Sequence, residues 1–460
     1  LQLMFLRKIT LQNLFLIILT ICVSLNASNS PLLIQLSSIN FIILFLICLK
    51  NNEVLEAIKK NYMNNKNFFT IFFLYVSYLI IQIIPLPLNW IEVIAPNNYA
   101  LYTSITIDKE FWSLSLDPSN SYLRIINCIN FLIIFLIFPT LFYRSKHLMK
   151  FLFFLCLLGF CHALFATYWM LIGNPSNFLI EKIHYPQSST GLFVNRSVFA
   201  TFLLLSAFSG LYYIVVFFQK NKITNFNFFE QINSKIIYIR IFIIFLSIGI
   251  LTTWSRAVNF SYLLILFSFL FYSKINFKKY INPLSTIIIF ILIFDVLVLG
   301  LLFGNAKLIE RYAETSMVSE AVRIDLHDFG LDQFKSFWLF GYGSGAFAQV
   351  YKLFFILPEN KNFLAKYVHN DGIQLLGEVG IIGISILLSL SFMYFKKVIN
   401  SIKQKKELSR FVLIFLLLSV LFIQSLVDFS LHIPGISILL MIILSISLIN
   451  SKKNIINHLR

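Results

Sequence analysis

Twelve apolar runs, each long enough to cross a bilayer, recur along the sequence and leave it few ways to fold. They cover 11–27, 31–49, 68–86, 122–143, 148–172, 194–218, 236–253, 257–273, 283–303, 372–395, 411–429 and 433–449. A hydrocarbon core of about 30 Å needs roughly 20 apolar residues as helix. Only helices that satisfy their own backbone, or closed barrels, can span lipid. With 58% of 460 residues hydrophobic, the runs are too many for a soluble core. The sequence therefore predicts an all-α polytopic membrane protein of about 12 transmembrane helices. An even number puts both termini on one side.

The charges choose that side, because Lys and Arg gather on the face that stays in the cytoplasm. Arg7 and Lys8 precede the first run, and every second connection repeats the bias. These connections hold Lys50, Lys59, Lys60 and Lys66; Arg144, Lys146 and Lys150; Lys220, Lys222, Lys235 and Arg240; Lys274, Lys278 and Lys279; and Lys396 through Arg410. Lys452, Lys453 and Arg460 close the chain on the same side. Both termini are expected to be cytoplasmic, and the formal charge of +17 then reports orientation and contact with anionic lipid, not nucleic-acid binding.

Arg7-Lys8 with the apolar run that follows reads as a signal anchor, and the start is open between Leu1 and Met4. Cys22, Cys48, Cys128, Cys156 and Cys161 all lie in the apolar runs, where they act as small apolar side chains and not as a disulfide or metal framework. No metal site and no cofactor is expected.

Three sections follow: helices one to nine with short loops over 1–303, a large external loop over 304–371, and helices ten to twelve with a cytoplasmic tail over 372–460. Loops longer than about 15 residues are usually functional or disordered. The large one has helical patterning at 318–336, with Val322, Leu326 and Phe329 on one face and Arg323, His327 and Asp328 on others, and is expected to form an ordered lid with short helices. Its Phe340-Gly341-Tyr342-Gly343-Ser344-Gly345 segment reads as a tight turn returning the chain to the membrane, since a dinucleotide fingerprint would need a βαβ unit.

Polar chemistry collects at the external ends of the runs. His369-Asn370-Asp371 leads straight into the tenth run and puts a titratable imidazole at the membrane surface, with Gln374 and Glu378 following at helical spacing. Glu378 either faces a wet cavity or holds helices together. Asp371 either serves the site or caps its helix. Gly377, Gly380 and Gly383 are expected to let another helix approach. Arg196 and Arg256 are isolated cations at outer boundaries; each either snorkels to headgroups or joins Arg323 and His369 around one cavity. Guanidinium forks bind phosphate oxygens in pairs of hydrogen bonds. Asp428, near His432, either orients the site or forms a turn. Asp295 reads as a packing residue, and His184 and His327 as ordinary loop histidines. The Asn195-Arg196-Ser197 sequon is a chance match.

These elements resemble the O-antigen ligase and polymerase superfamily of bacterial membrane glycosyltransferases. The resemblance is carried by Gly191-Leu192-Phe193-Val194-Asn195-Arg196, by Trp254-Ser255-Arg256, by Arg323 ahead of the glycine-rich turn, and by His369-Asn370-Asp371 through Gly377-Glu378-Val379-Gly380. It covers roughly 190–435. Ser255-Arg256-Ala257-Val258 departs from the family's usual Ser-Arg-Gly-Gly, which puts local packing in doubt more than chemistry.

The resemblance implies a GT-C-like fold in the bacterial inner membrane, with a periplasmic active face. It also implies transfer of a glycan from undecaprenyl diphosphate to lipid A-core, without a metal. Carried over by motif, Arg196, Arg256 and Arg323 would hold diphosphate and sugar with Asn370 and Asp371 beside them, and His369 would serve the acceptor as general base. Gln374, Glu378 and Asp428 would give support. Cations fixed at a diphosphate leaving group stabilise its developing charge, and an imidazole suits proton removal near neutral pH. Polymerase and protein O-oligosaccharyltransferase activities stay open within the superfamily. A polysaccharide or lipid transporter is the alternative of another class, for which paired, interrupted helices would be the sign.

Overall fold

The computed structural model describes residues 10–104, 109–175, 185, 187–221, 236–276, 288, 289, 293, 317–355, 364–403 and 408–449. Eleven of the twelve apolar runs appear as helices of the expected extent. These are α1 (Leu11–Ser24), α2 (Pro31–Lys50), α4 (Lys66–Ile83), α7 (Pro118–Leu141), α8 (Ser145–Leu171), α9 (Arg196–Asn221), α10 (Ile236–Leu251), α11 (Arg256–Asn276), α14 (Asp371–Lys403), α15 (Leu408–Ser425) and α16 (Pro434–Ser445). Six of them are long and apolar enough to cross a membrane by length and composition, among the described residues, and five more are shorter apolar helices. The run at 283–303, with Asp295, lies almost wholly outside the described residues, as does His184.

Local chemistry starts these helices where polar residues meet the runs. Ser30 accepts a hydrogen bond from Leu33 N with Pro31 in the first turn, and Asp117 accepts one from Asn120 N with Pro118 behind it. Side-chain oxygens at the cap satisfy amides that the helix leaves free. Between α2 and α4 runs α3 (Asn52–Asn64), a strongly amphipathic helix carrying Lys59 and Lys60. Its Asn61 solves a problem set by Pro139 inside α7. Proline has no N–H for the carbonyl four residues back, and Asn61 Nδ2 donates to Phe135 O at 2.9 Å and to Leu136 O at 3.1 Å.

The bundle is built around α9, 89% of whose most apolar window is buried. Small residues bring α8, α9 and α10 close together. A Cβ on Gly159 would lie 2.4 Å from Ser206 Cβ, and one on Gly249 would lie 2.8 Å from Ala163 Cβ. Such contacts gain dispersion energy where lipid offers no hydrophobic drive between helices.

One end of this bundle is elaborated. Residues after α4 form a two-residue antiparallel pairing of β1 (Leu86–Pro87) with β2 (Phe111–Trp112), enclosing α5 (Leu88–Ile94) and α6 (Pro96–Thr103). Tyr102 stacks on Trp112 with ring centroids 4.3 Å apart. The lid expected from the large loop is present as α12 (Met317–Ser336) and α13 (Phe347–Phe354). It has its own small core of Leu326, Phe337, Tyr342, Phe347, Val350 and Val368, with Phe329 edge-on to Phe347 and Tyr351. Val322, expected on the buried face, is exposed.

Candidate functional site

The lid is fastened to the bundle at a break in α14. Gly380 has φ +60° and ψ −173°, a conformation open in practice to glycine alone, so the helix is interrupted there. The glycine-rich turn fills the interruption with its backbone. Tyr342 N donates to Gly377 O at 2.9 Å, Gly343 N to Glu378 O at 3.1 Å, and Ile381 N to Trp338 O at 2.8 Å. A Cβ on Gly341 would sit 2.4 Å from Glu378 O, so only glycine allows the approach.

Two polar residues of α4 lock the joint. Gln82, fully buried, donates through Nε2 to Phe340 O at 2.8 Å and Glu378 O at 3.1 Å, and accepts from Ser344 N at 3.2 Å. Tyr78 Oη lies 2.7 Å from both Phe340 O and Val379 O, which share its one hydrogen. The turn thus docks the chain on α4 and α14. Of the three glycines expected to admit a helix, Gly383 faces Tyr78, Gly377 faces Tyr342 of the turn, and Gly380 is the break itself.

Above the break stands the His-Asn-Asp element. Asn370 caps α14, its Oδ1 accepting from Ile373 N at 3.0 Å, and its Nδ2 donates to Leu426 O at 2.8 Å at the end of α15. His369, just before the cap, holds φ +62°, a left-handed conformation that costs a non-glycine residue roughly 1–2 kcal/mol. Its ring meets the edge of Phe429 at 4.8 Å, and its carbonyl accepts from His327 Nε2 at 3.4 Å. Burial, then the positive field of Arg323 and then His327, hold the His369 imidazole down at about 4. Arg323 and His369 are therefore within electrostatic reach. His327, read as an ordinary loop histidine, lies against the backbone of His369.

Asp371 is not the cap. Its carboxylate pairs with His432 Nδ1 and accepts from Leu431 N at 3.3 Å, while its own N–H donates to Asp428 O at 3.2 Å. Asp428 forms its turn: it accepts from Phe429 N at 2.9 Å and from Ser430 Oγ at 2.6 Å. Burial pushes the Asp428 carboxyl up to about 6 in spite of these bonds. Gln374 links the backbone before the cap to the helix interior, accepting from Val368 N at 3.1 Å and donating to Glu378 Oε1 at 2.8 Å. Both Gln374 and Glu378 are buried, which favours the helix-holding role for Glu378.

Arg196 and Arg256 are the first residues of α9 and α11. Asn195 Oδ1 accepts from Ser197 N at 2.8 Å and Val198 N at 3.2 Å, so the supposed sequon is a helix cap. Ser197 Oγ and Ser255 Oγ lie 3.0 Å apart and join the two helix starts. Cations at helix N-termini add to the positive end of each dipole and suit an anion. The Arg196 guanidinium also lies over the Tyr185 ring at 4.9 Å. A polar path leads from here to the His369 cap. Thr201 Oγ1 donates to Ser197 O at 2.9 Å and accepts from Gln424 Nε2 at 2.7 Å, and Gln424 lies 3.5 Å from Asp428 Oδ2. The path joins the start of α9 to Asp428, whose carbonyl accepts from Asp371 N.

Arg124 is a cation that reading by motif passed over. It sits one turn inside α7 and donates through Nη1 to His432 O at 2.6 Å. A polar residue inside an apolar run was the available signal for both Arg124 and Gln82. Among the described residues no group of three His, Cys, Asp or Glu side chains could hold a metal ion.

A helical chain with this many apolar helices, with arginines at helix starts and histidines at one elaborated end, has the make-up of a polytopic membrane protein. Residues 241–388 match the family model described as O-antigen ligase, so over this segment the chain is similar to that family. The match contains Arg256, Arg323, His369 and the α14 break; Arg196 and Asp428 fall outside it. No curated protein matches the chain.

Proposed function

We propose that this protein is a GT-C-type glycosyltransferase of the bacterial inner membrane that moves a glycan from undecaprenyl diphosphate to lipid A-core at the periplasmic face. Both termini lie in the cytoplasm on this reading. What supports it is that Ser197 and Ser255 join the starts of the helices that begin with Arg196 and Arg256, that Arg323 bears electrostatically on His369, and that residues 241–388 match the O-antigen ligase family. On this reading the basic connections face the cytoplasm.

In the proposed reaction the arginines hold the diphosphate and stabilise the charge it gains on leaving. Neutral at physiological pH, His369 takes the proton of the acceptor hydroxyl. Asn370 and Asp371 shape the cap beside it, while Gln374, Glu378 and Asp428 hold that cap in place. No nucleotide sugar or metal is required. Within the superfamily, polymerase and protein O-oligosaccharyltransferase activities differ only in acceptor.

The break in α14 is the feature a transporter would share. Its freed backbone groups are bound by the glycine-rich turn, however, which makes it a joint and not an ion site.

The test is a glycolipid profile of a strain lacking the gene, with wild-type or His369→Ala copies returned. Long carrier-linked glycan accumulating beside bare lipid A-core, corrected by wild type alone, is the expected outcome. Single carrier-linked repeats would indicate a polymerase, and loss of glycoprotein alone a protein transferase. No change in any pool would overturn the reading.

A further inference from the structure

The site contains a second imidazole that no motif singles out. His432 lies in the 3-10 turn Ser430–His432 between α15 and α16, with its Nδ1 paired to the Asp371 carboxylate. That carboxylate is itself fixed by Leu431 N at 3.3 Å, and the His432 carbonyl is fixed by Arg124 Nη1 at 2.6 Å. Ring and backbone are thus both oriented, and Nε2 has no hydrogen-bond partner among the described residues. A carboxylate on Nδ1 sets the tautomer that leaves Nε2 free to accept a proton. His369 has no such carboxylate; its neighbours are Phe429, Arg323 and His327. The two histidines share one turn: His369 touches the Phe429 ring, His432 N donates to Phe429 O at 3.0 Å, and Asp371 is two residues from His369.

We propose that His432, held by Asp371, is the relay residue that receives the proton His369 takes from the acceptor hydroxyl. The inference rests on the glycosyl-transfer reading above and deepens it. As the acceptor oxygen bonds to the anomeric carbon, the bond from that carbon to the diphosphate oxygen breaks, and its electron pair leaves with the diphosphate. The hydroxyl proton passes to His369 and on to Nε2 of His432, where the new charge sits against the Asp371 carboxylate. Water takes the proton after the products leave. The shared Phe429 turn and the Asp371 carboxylate place an oriented acceptor beside His369. The charged and titratable groups around His432 are Asp371 on α14, Asp428 beside its own turn and Arg124 on α7; α9 also packs on this turn.

The test uses full-length protein in proteoliposomes with a polyprenyl-diphosphate-linked glycan donor and its acceptor. His432→Gln is expected to lower kcat by roughly 10²-fold, the low end of general acid-base contributions, with donor KM within about twofold. Asp371→Asn combined with His432→Gln should be no slower than His432→Gln alone, because the pair acts as one unit. Added imidazole should restore part of the rate to His432→Ala. His432→Asn, whose amide can still donate to Asp371, should melt like wild type and remain slow.

Wild-type kcat in His432→Gln would overturn the relay. A loss appearing in KM, additive with Asp371→Asn and restored by His432→Asn, would also overturn it and reduce the pair to a structural bond. If His369→Ala abolishes transfer while His432→Gln does not, the relay alone fails; if wild type transfers nothing, the parent reading fails.

Discussion

Replacing Gln82 with Leu should open the joint between the lid and α14. The side chain is fully buried and makes three hydrogen bonds to backbone, and their loss is unequal. Phe340 O keeps Tyr78 Oη, and Glu378 O keeps Gly343 N, so those two carbonyls stay paired. Ser344 N loses the acceptor that Gln82 supplies. An unpaired buried amide costs about 1–3 kcal/mol, and the two weakened carbonyl contacts bring the total to roughly 2–4 kcal/mol. Even the lower figure raises the open population of a local unit by roughly 30-fold. Hydrogen exchange of the 340–344 amides in nanodiscs reads this directly. Gln82→Glu keeps an acceptor for Ser344 N but turns a carboxylate toward two carbonyl oxygens, so it should protect the segment no better than Leu. Exchange in Gln82→Leu within about threefold of wild type would refute the reasoning, since even the least cost exceeds that.

Gly380→Ala should abolish folded yield in detergent, because its Cβ would lie 2.5 Å from Gly341 N and from Leu339 O at a glycine-only conformation, whereas Gly372→Ala, with nothing nearer than 3.3 Å, should extract normally. Asn61→Leu leaves Phe135 O with neither Pro139 nor Asn61 as donor and should lower stability by about 1–3 kcal/mol in a thermal melt, with no effect on transfer in the cold. Asp428 and His369 should pull the pH dependence of stability in opposite directions. Asp428, raised to about 6, contributes stability at low pH that is lost as pH rises through 6; His369, lowered to about 4, contributes stability above its ordinary 6.5 that is lost as pH falls toward 4. Between pH 4 and 6.5 Asp428→Asn should therefore melt progressively higher with rising pH relative to wild type, and His369→Gln progressively lower; parallel curves for both variants would contradict the assignment.

The helices were legible because lipid imposes length and polarity on every span, and α12 because its apolar and polar residues keep helical spacing. Arg196, Arg256, Arg323 and His369 stood out as charges or imidazoles where apolar sequence gave way. The joint did not, since apolar periodicity continues straight through Gly380 and nothing local says that the helix stops there. Its other half, Gln82, comes almost three hundred residues earlier. A separation of 61 residues hid the partner of Asp371, for which a helix cap was an equally good account on sequence alone. His327 looked ordinary because its role lies in a contact to a backbone carbonyl, which spacing cannot report.

Glycosyl transfer itself is tested most directly with purified protein in proteoliposomes, given a labelled undecaprenyl-diphosphate glycan and lipid A-core. Label moving to lipid A-core with wild type, and not with His369→Ala of the same melting temperature, is the predicted result. Label that stays on the carrier with wild type, or moves equally well with His369→Ala, would contradict it.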